Sequence, residues 1–353
     1  MPVTQKDIAE KLNVSRSVVA GVLGNHASTR VRDETRSRIL QAAAEMNYRP
    51  NRAATALRNS RTGIVTIAYV RPTEEWRPIY FGVSENLAET LAQVRSSLMI
   101  RVYPTQAECL EGLRILESEQ GTDVVVLLGK PEDVVEQGEL LESIGLSFVV
   151  LGRFESTHPD WLQIDFDHEL MMRNAVEHLY RRGHTRIAYL GYQMDSPFCL
   201  HLRDGYINAM QQIVGSSLNE AYVGSVVPGF VMGSLPGQMA RWWALPEAER
   251  PTAIVVGMSE NVVWGGLEGD LAKRGLLLGD GPNKVAAAGL SGDNLALLYG
   301  EAYVYDRLGH TEYARLTAER LLVPLLRSEA IEHNVVLVAP RLSLVQAYNS
   351  NAA

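Results

Sequence analysis

Apolar positions in the first fifty residues recur with helical spacing. Ile8, Ala9 and Leu12 share one face; Val18, Val19, Val22 and Leu23 form a second stripe; Ile39, Leu40, Ala43 and Met46 form a third. Thr4-Gln5-Lys6-Asp7 has the form of a capping box, in which hydroxyl and carboxylate satisfy each other's backbone N–H. Asn13 interrupts the first run, and Asn tolerates left-handed backbone angles. Ser15 is placed to cap the next. The pattern predicts helices ending near Leu12, over 16–23 and over 33–46. From Gly63 it changes to short apolar runs at 63–70, 97–104, 123–129, 147–152, 186–191, 253–258 and 284–290. Helix-length segments such as 83–95, 168–182, 203–213 and 260–274 separate them. Strands alternating with helices predict an α/β body with parallel sheets covered on both faces, whose ligands sit at the carboxyl ends of the strands.

Charge sharpens the division. The 353-residue chain carries −8, but residues 1–60 hold ten Lys or Arg against five Asp or Glu, so the head is +5 and the rest −13. A basic end on an acidic body suits a phosphate-binding head. Length and a 46% hydrophobic content fit two or three globular domains. No apolar run approaches the roughly 20 residues needed to span a bilayer. The polar N-terminus lacks the apolar stretch of a secretory signal, so a cytoplasmic protein with no membrane partner is expected. Cys109 and Cys199 are far apart and have no CxxC partner, which points to buried thiols.

Two short helices joined by a tight turn and backed by a third make a helix-turn-helix. Its second helix enters the major groove and presents its N-terminal side chains to base edges. Here these are Arg16 and Ser17. Arginine bonds guanine in bidentate fashion; the plainer reading of Arg16 is a phosphate contact or a solvated first-turn residue. The segment 50–60 is rich in helix formers but shorter than the ~12–15 residues at which isolated helices become marginal, so it is expected to fold only when docked.

The ordered stretch VTQKDIAEKLNVSRSVVAGVL, followed by VRDETRSRILQAAAEMNYRPNRAATALR, resembles the LacI/GalR family of bacterial repressors. The resemblance implies a homodimer on a near-palindromic operator in double-stranded DNA. It implies phosphate contacts from Thr4, Ser15 and Tyr48, and base reading by Arg16 and Ser17. Leu57 matches a hinge leucine that wedges between base pairs in the minor groove, and small Ala53, Ala54 and Ala56 would let two hinges approach. Gln5, Ser28, Asn51, Arg52 and Ala54 complete the expected DNA-facing set. The chain departs from the family at Ala20 and Gly21, usually Ser and Arg, and at Gly24, commonly Asn. Gly21 is expected to remove a groove-reaching side chain and to shift readout toward Arg16 and DNA shape.

The body stretch AVEHLYRRGHTRIAYLG (175–191), with LRDGY (202–206), resembles the periplasmic-binding-protein-like core of the same family. The expected organisation is a headpiece at 1–49, a hinge at 50–60 and a two-lobed effector-binding and dimerisation domain at 61–353. The N-lobe is expected to take about 61–165 plus 295–325, and the C-lobe about 166–294 plus 326–353. Candidate effector-binding residues are Tyr80, Phe81, Arg153, Phe166, Arg203, Ser259, Trp264 and Ser291. Leu202 stands where the family often has Arg, and Ser259-Glu260 replaces an Asn-Asp pair. Much of a sugar-binding set is therefore absent, so the small-molecule effector is either carbohydrate-related or a non-hexose metabolite. No P-loop, GxSxG elbow or HExxH occurs. His168-Glu169 reads as a helix start, and His178 and His184 as structural. A non-enzymatic transcription regulator without cofactor or metal is expected. A ligand-independent DNA binder and a helix-turn-helix fused to a sugar-kinase-like enzyme are the alternatives; the latter lacks its glycine-rich phosphate loop.

Overall fold

The computed structural model describes residues 3–24, 31–48, 61–73, 77–154, 157–215, 219–258, 261–290, 302–305, 308–340 and 342–345. The chain divides into two compact units, Met1–Thr62 and Gly63–Ala353.

The first unit contains α1 (Gln5–Leu12), α2 (Arg16–Leu23) and α3 (Asp33–Glu45). Ile8, Ala9, Val19, Val22, Ile39, Ala42 and Ala43 are buried together, ringed by half-buried Leu12, Val14, Met46 and Tyr48. Leu40 does not join them; it is exposed. Leu40 lies about 100° around the helix from Ile39, whereas Ala42 and Ala43, three and four residues on, return to its face. This corrects the expected inward set of α3.

The second unit is built on two sheets. The first has the order β12-β5-β4-β3-β1-β2, from Val335–Val338, Gln163–Phe166, Phe148–Leu151, Val124–Leu127, Ile64–Val70 and Ser97–Tyr103. All its pairs are parallel. One face packs Val65, Ile67 and Tyr69 against Tyr80, Val83, Leu87 and Leu91 of α4 (Arg77–Gln93), and against Tyr313 and Ala314 of α11 (Leu308–Leu316). The other packs Ala68, Val125 and Leu127 against Cys109 and Leu113 of α5 (Gln106–Ser118) and Val134 and Leu141 of α6 (Pro131–Ile144). Successive strand residues serve opposite faces, which is why these strands read as unbroken apolar runs.

The second sheet has the order β13-β11-β10-β8-β6-β7, from Leu342–Val345, Ala302–Tyr305, Lys284–Gly289, Ala253–Val256, Ile187–Tyr192 and Val223–Val226. The short β9 (Leu277–Leu278) pairs with β10, and β13 alone runs antiparallel. Ile187, Tyr189 and Val255 pack on α7 (His168–Arg181) and α8 (Pro197–Ala209). Leu190, Ile254 and Val256 pack on α9 (Val231–Trp243) and α10 (Asn261–Lys273).

The chain passes between the sheets more than once, and this corrects the expected lobe boundaries. Tyr313 and Ala314 pack on the first sheet as expected. Residues 302–305, however, pair with β10 of the second sheet, and residues 335–338 lie beside β5 of the first. Both assignments follow from parallel backbone pairing, which local apolarity does not report. The first sheet also keeps Phe166, which pairs with Val338.

Among the described residues no helix is long and apolar enough to cross a membrane. Cys109 and Cys199 are free and buried, as expected. His184 holds Thr252 through Nδ1 at 3.0 Å and Asp280 through Nε2 at 3.1 Å, while Arg182 also grips Asp280. Arg182 and His184 thereby clip the α7–β6 turn to Asp280 in the β9–β10 turn.

Candidate nucleic-acid interface and ligand cavity

In the first unit, α1 starts at a complete capping box. Thr4 N donates to Asp7 Oδ2 at 2.7 Å, and Asp7 N donates to Thr4 Oγ1 at 3.4 Å. The bond from Thr4 N, with one from Thr4 Oγ1 to the same oxygen at 2.8 Å, holds the Asp7 carboxyl below the usual carboxylate range. The helix stops at Asn13, whose φ of 48° and ψ of 51° are left-handed and turn the chain sharply. Ser15 then accepts from Val18 N at 3.3 Å and lies 2.9 Å from the Ser17 hydroxyl. Ser15, Arg16 and Ser17 are exposed, so the first turn of α2 stands on the surface with one cation and two hydroxyls. Thr4 is exposed, and Gln5 and Tyr48 are half-buried.

Gly21 is buried with Val19 and Val22. Ser28, Asn51, Arg52, Ala54 and Leu57, with the rest of the predicted hinge, lie outside the described residues.

In the second unit the candidate effector residues fall into separate groups. Tyr80 and Phe81 line a cavity of about 250 Å³ together with Tyr69, Arg71, Arg77 and Val102. It opens between α4 and the edge strand β2, toward the carboxyl end of β1. Tyr69 and Tyr80 meet edge to face at 4.8 Å. Burial pushes the Tyr80 hydroxyl up to about 12, with a contribution from Asp133.

Arg153 and Phe166 form the second group, where the chain leaves β5 for α7. Arg153 follows β4 and bonds Glu169, in the first turn of α7, at 2.6 Å. Phe166 stacks on Tyr313 at 5.0 Å and lies 6.4 Å from the His168 ring. His168 is 3% exposed; burial, reinforced by His201 and Arg153, pushes its imidazole down to about 3. Its Nδ1 lies 3.6 Å from Asp165 Oδ2 and, like His201 Nδ1, makes no hydrogen bond.

Arg203 and Trp264 stand apart from both groups. Arg203 is exposed and pairs with its neighbour Asp204 at 3.4 Å. Trp264 is fully buried in the core, and its Nε1 donates to Leu290 O at 2.8 Å, so it is a packing residue. Ser259 and Ser291 lie outside the described residues. Sequence reasoning missed Arg71 and Arg77, although both adjoin the end of a strong strand pattern. It also missed Phe230, 63% exposed just beyond β7, because the weakly apolar VGSV gives no strand signal to place it.

Residues 4–51 match the family model described as "Bacterial regulatory proteins, lacI family". That match identifies the headpiece as one of the lacI type. The chain is 29% identical over 226 residues to the HTH-type transcriptional regulator AglR of Rhizobium meliloti, a match covering 63% of this chain and 62% of the relative. Two further relatives are matched over 60% and 57% of their lengths, so the chain spans about three fifths of these proteins. With catabolite control protein A of Priestia megaterium it shares 25% identity over 98% of this chain and 99% of that one. The structure of the lac repressor dimer bound to operator and the anti-inducer ONPF superposes with a TM-score of 0.65 at 19% identity, covering 98% of both chains. At that identity the likeness is one of fold.

Proposed function

We propose that this chain is a sequence-specific DNA-binding transcription regulator, a repressor that binds a near-palindromic operator as a homodimer and responds to a small molecule. One observation carries the reading. The first turn of α2 presents Arg16 and Ser17 on the surface, and that helix is anchored by an apolar core and entered through a left-handed turn at Asn13. A helix held in this way is suited to the major groove. Arg16 reads a guanine, Ser17 reads its neighbour, and Thr4, Gln5, Ser15, Ser28 and Tyr48 fix the register through phosphates. Asn51, Arg52, Ala54 and Leu57 act in the minor groove.

The names of the relatives support this: AglR is a transcriptional regulator, and the lac repressor structure is a dimer on its operator with a bound anti-inducer. The effector acts at the carboxyl ends of the strands of the second unit, with Tyr80, Phe81, Arg153 and Phe166 as its contacts and Phe230 added to them. Differential binding to two arrangements of the lobes then biases whether the paired hinges fold on DNA. A DNA-binding regulator works in the cytoplasm.

The test is selection of bound DNA from a random pool with the full chain, in parallel with Arg16→Ala. A two-fold-symmetric motif should be enriched, and the variant should lose preference at one base pair per half-site. A pool that enriches no motif refutes the reading.

A further inference from the structure

After Arg16 and Ser17, the residues of α2 from Val18 to Leu23 carry no polar side chain. Most of them are accounted for by packing. Val19 and Val22 are buried in the headpiece core, and Gly21 is buried beside them. Val18 and Leu23 are half-buried and packed against that core. Ala20 is also half-buried, but among the described residues of α2 it is the apolar side chain that neither joins the core nor packs on it.

Helix geometry says where Ala20 points. At about 100° per residue, it falls about 40° from Arg16 and about 60° from Ser17, on the arc between them, while Val22 lies about 160° away. Ala20 therefore holds the middle of the outward face, one turn beyond the exposed Arg16 and Ser17. Gly24 follows it on that face, exposed and without a side chain. Nothing bulky on the second turn of this face holds the helix away from a surface it approaches.

The major groove offers one apolar feature to such a face, the C5-methyl group of thymine; the other base-edge groups are hydrogen-bond donors and acceptors. A donor or acceptor pressed against Ala20 would lose water and gain no partner, which is costly. A thymine methyl pressed there leaves water favourably. A rise of about 1.5 Å per residue sets Ala20 about 6 Å from Arg16 along the axis, less than two steps of the ~3.4 Å base-pair rise.

We propose that Ala20 is a specificity-determining residue whose methyl group selects thymine, at a base pair within two of the one that Arg16 reads. The proposal rests on the reading of α2 as the helix in the major groove and adds an apolar position to its readout.

The DNA enriched by the full chain from a random pool supplies the probe. It is remade as synthetic duplexes in which one thymine of one half-site is replaced by deoxyuridine, which removes the C5-methyl and nothing else. Binding of the full chain is followed by fluorescence anisotropy. At one thymine within two base pairs of the pair where Arg16→Ala loses preference, deoxyuridine should weaken binding about fourfold, the equivalent of one buried carbon at ~0.8 kcal/mol. At the same position, 5-methylcytosine should bind tighter than cytosine by a similar factor, because it returns the methyl to an edge that lacks it. In Ala20→Gly both preferences should vanish. Each ratio is taken within one protein, so the helix propensity lost with glycine cancels. Three results each overturn the proposal: affinity indifferent to every thymine methyl of the half-site, a sensitive thymine more than two pairs from the Arg16 position, or wild-type ratios kept by Ala20→Gly. An enriched motif that ignores thymine methyls defeats this proposal alone; a pool that enriches no motif defeats the regulator reading and this proposal with it.

Discussion

Gly205 allows α7 and α8 to approach closely. A Cβ built there would lie 2.6 Å from the Glu169 Cα and 3.0 Å from its carbonyl oxygen. Ordinary carbon contact begins near ~3.5 Å, so Gly205→Ala requires α7 and α8 to part by about 1 Å. Overpacking of this kind costs about 1–3 kcal/mol, and the upper part of that range applies because the obstacle is backbone. Replacing a helical glycine by alanine returns about 1 kcal/mol of propensity. The net loss is about 2 kcal/mol, or about 4–8 °C in Tm for a large domain. Gly269→Ala in α10 is the matched control. Nothing lies within 4 Å of its Cβ, so only the propensity gain remains and Tm should rise by about 2–4 °C. Scanning calorimetry of the two proteins decides the matter. An unchanged or higher Tm for Gly205→Ala would refute the claim that contact, and not helix propensity, governs this crossing.

His168 has a folded pKa depressed to about 3 from an ordinary value near 6.5, so the unfolded chain binds the proton more readily. Its contribution is present above about pH 6.5 and is lost as pH falls toward 3. The slope is up to about 1.4 kcal/mol per pH unit, and urea unfolding of His168→Gln across that window should be flatter. Ser15→Ala removes the cap of α2 and should cost the headpiece about 1 kcal/mol by circular dichroism. Exposed Arg16→Ala should leave headpiece stability unchanged while weakening operator binding by about 1–3 kcal/mol in fluorescence anisotropy. Leu57→Ala should weaken operator binding far more than non-specific binding; equal loss on both DNAs removes the wedge.

The headpiece was legible because its determinants are local. The Thr4–Asp7 box, Asn13 and Ser15 each act within four residues, and the structure places each as the spacing requires. Leu40 misled because apolar character alone does not set a helix face. In the body, strands covered on both faces announced themselves, as VVVL at 124–127 does. QIDF at 163–166 and VGSV at 223–226 did not, since their place depends on neighbours distant in sequence. Trp264 looked like a ligand platform and is core; nothing in its local sequence separates those roles. Arg71 and Arg77 acquire meaning only once α4 and β2 lie side by side.

The position of β12 beside β5 also bears on the order in which the protein forms. Val335 meets Gln163 across 172 residues, and β13 completes the other sheet from Leu342 onward. Neither sheet can close until these late segments have left the ribosome, whereas the headpiece core is built from Ile8 to Ala43. All the residues of the headpiece core are therefore made long before those that complete either sheet. Pairings of such long reach also make the body the slow-folding part of the chain.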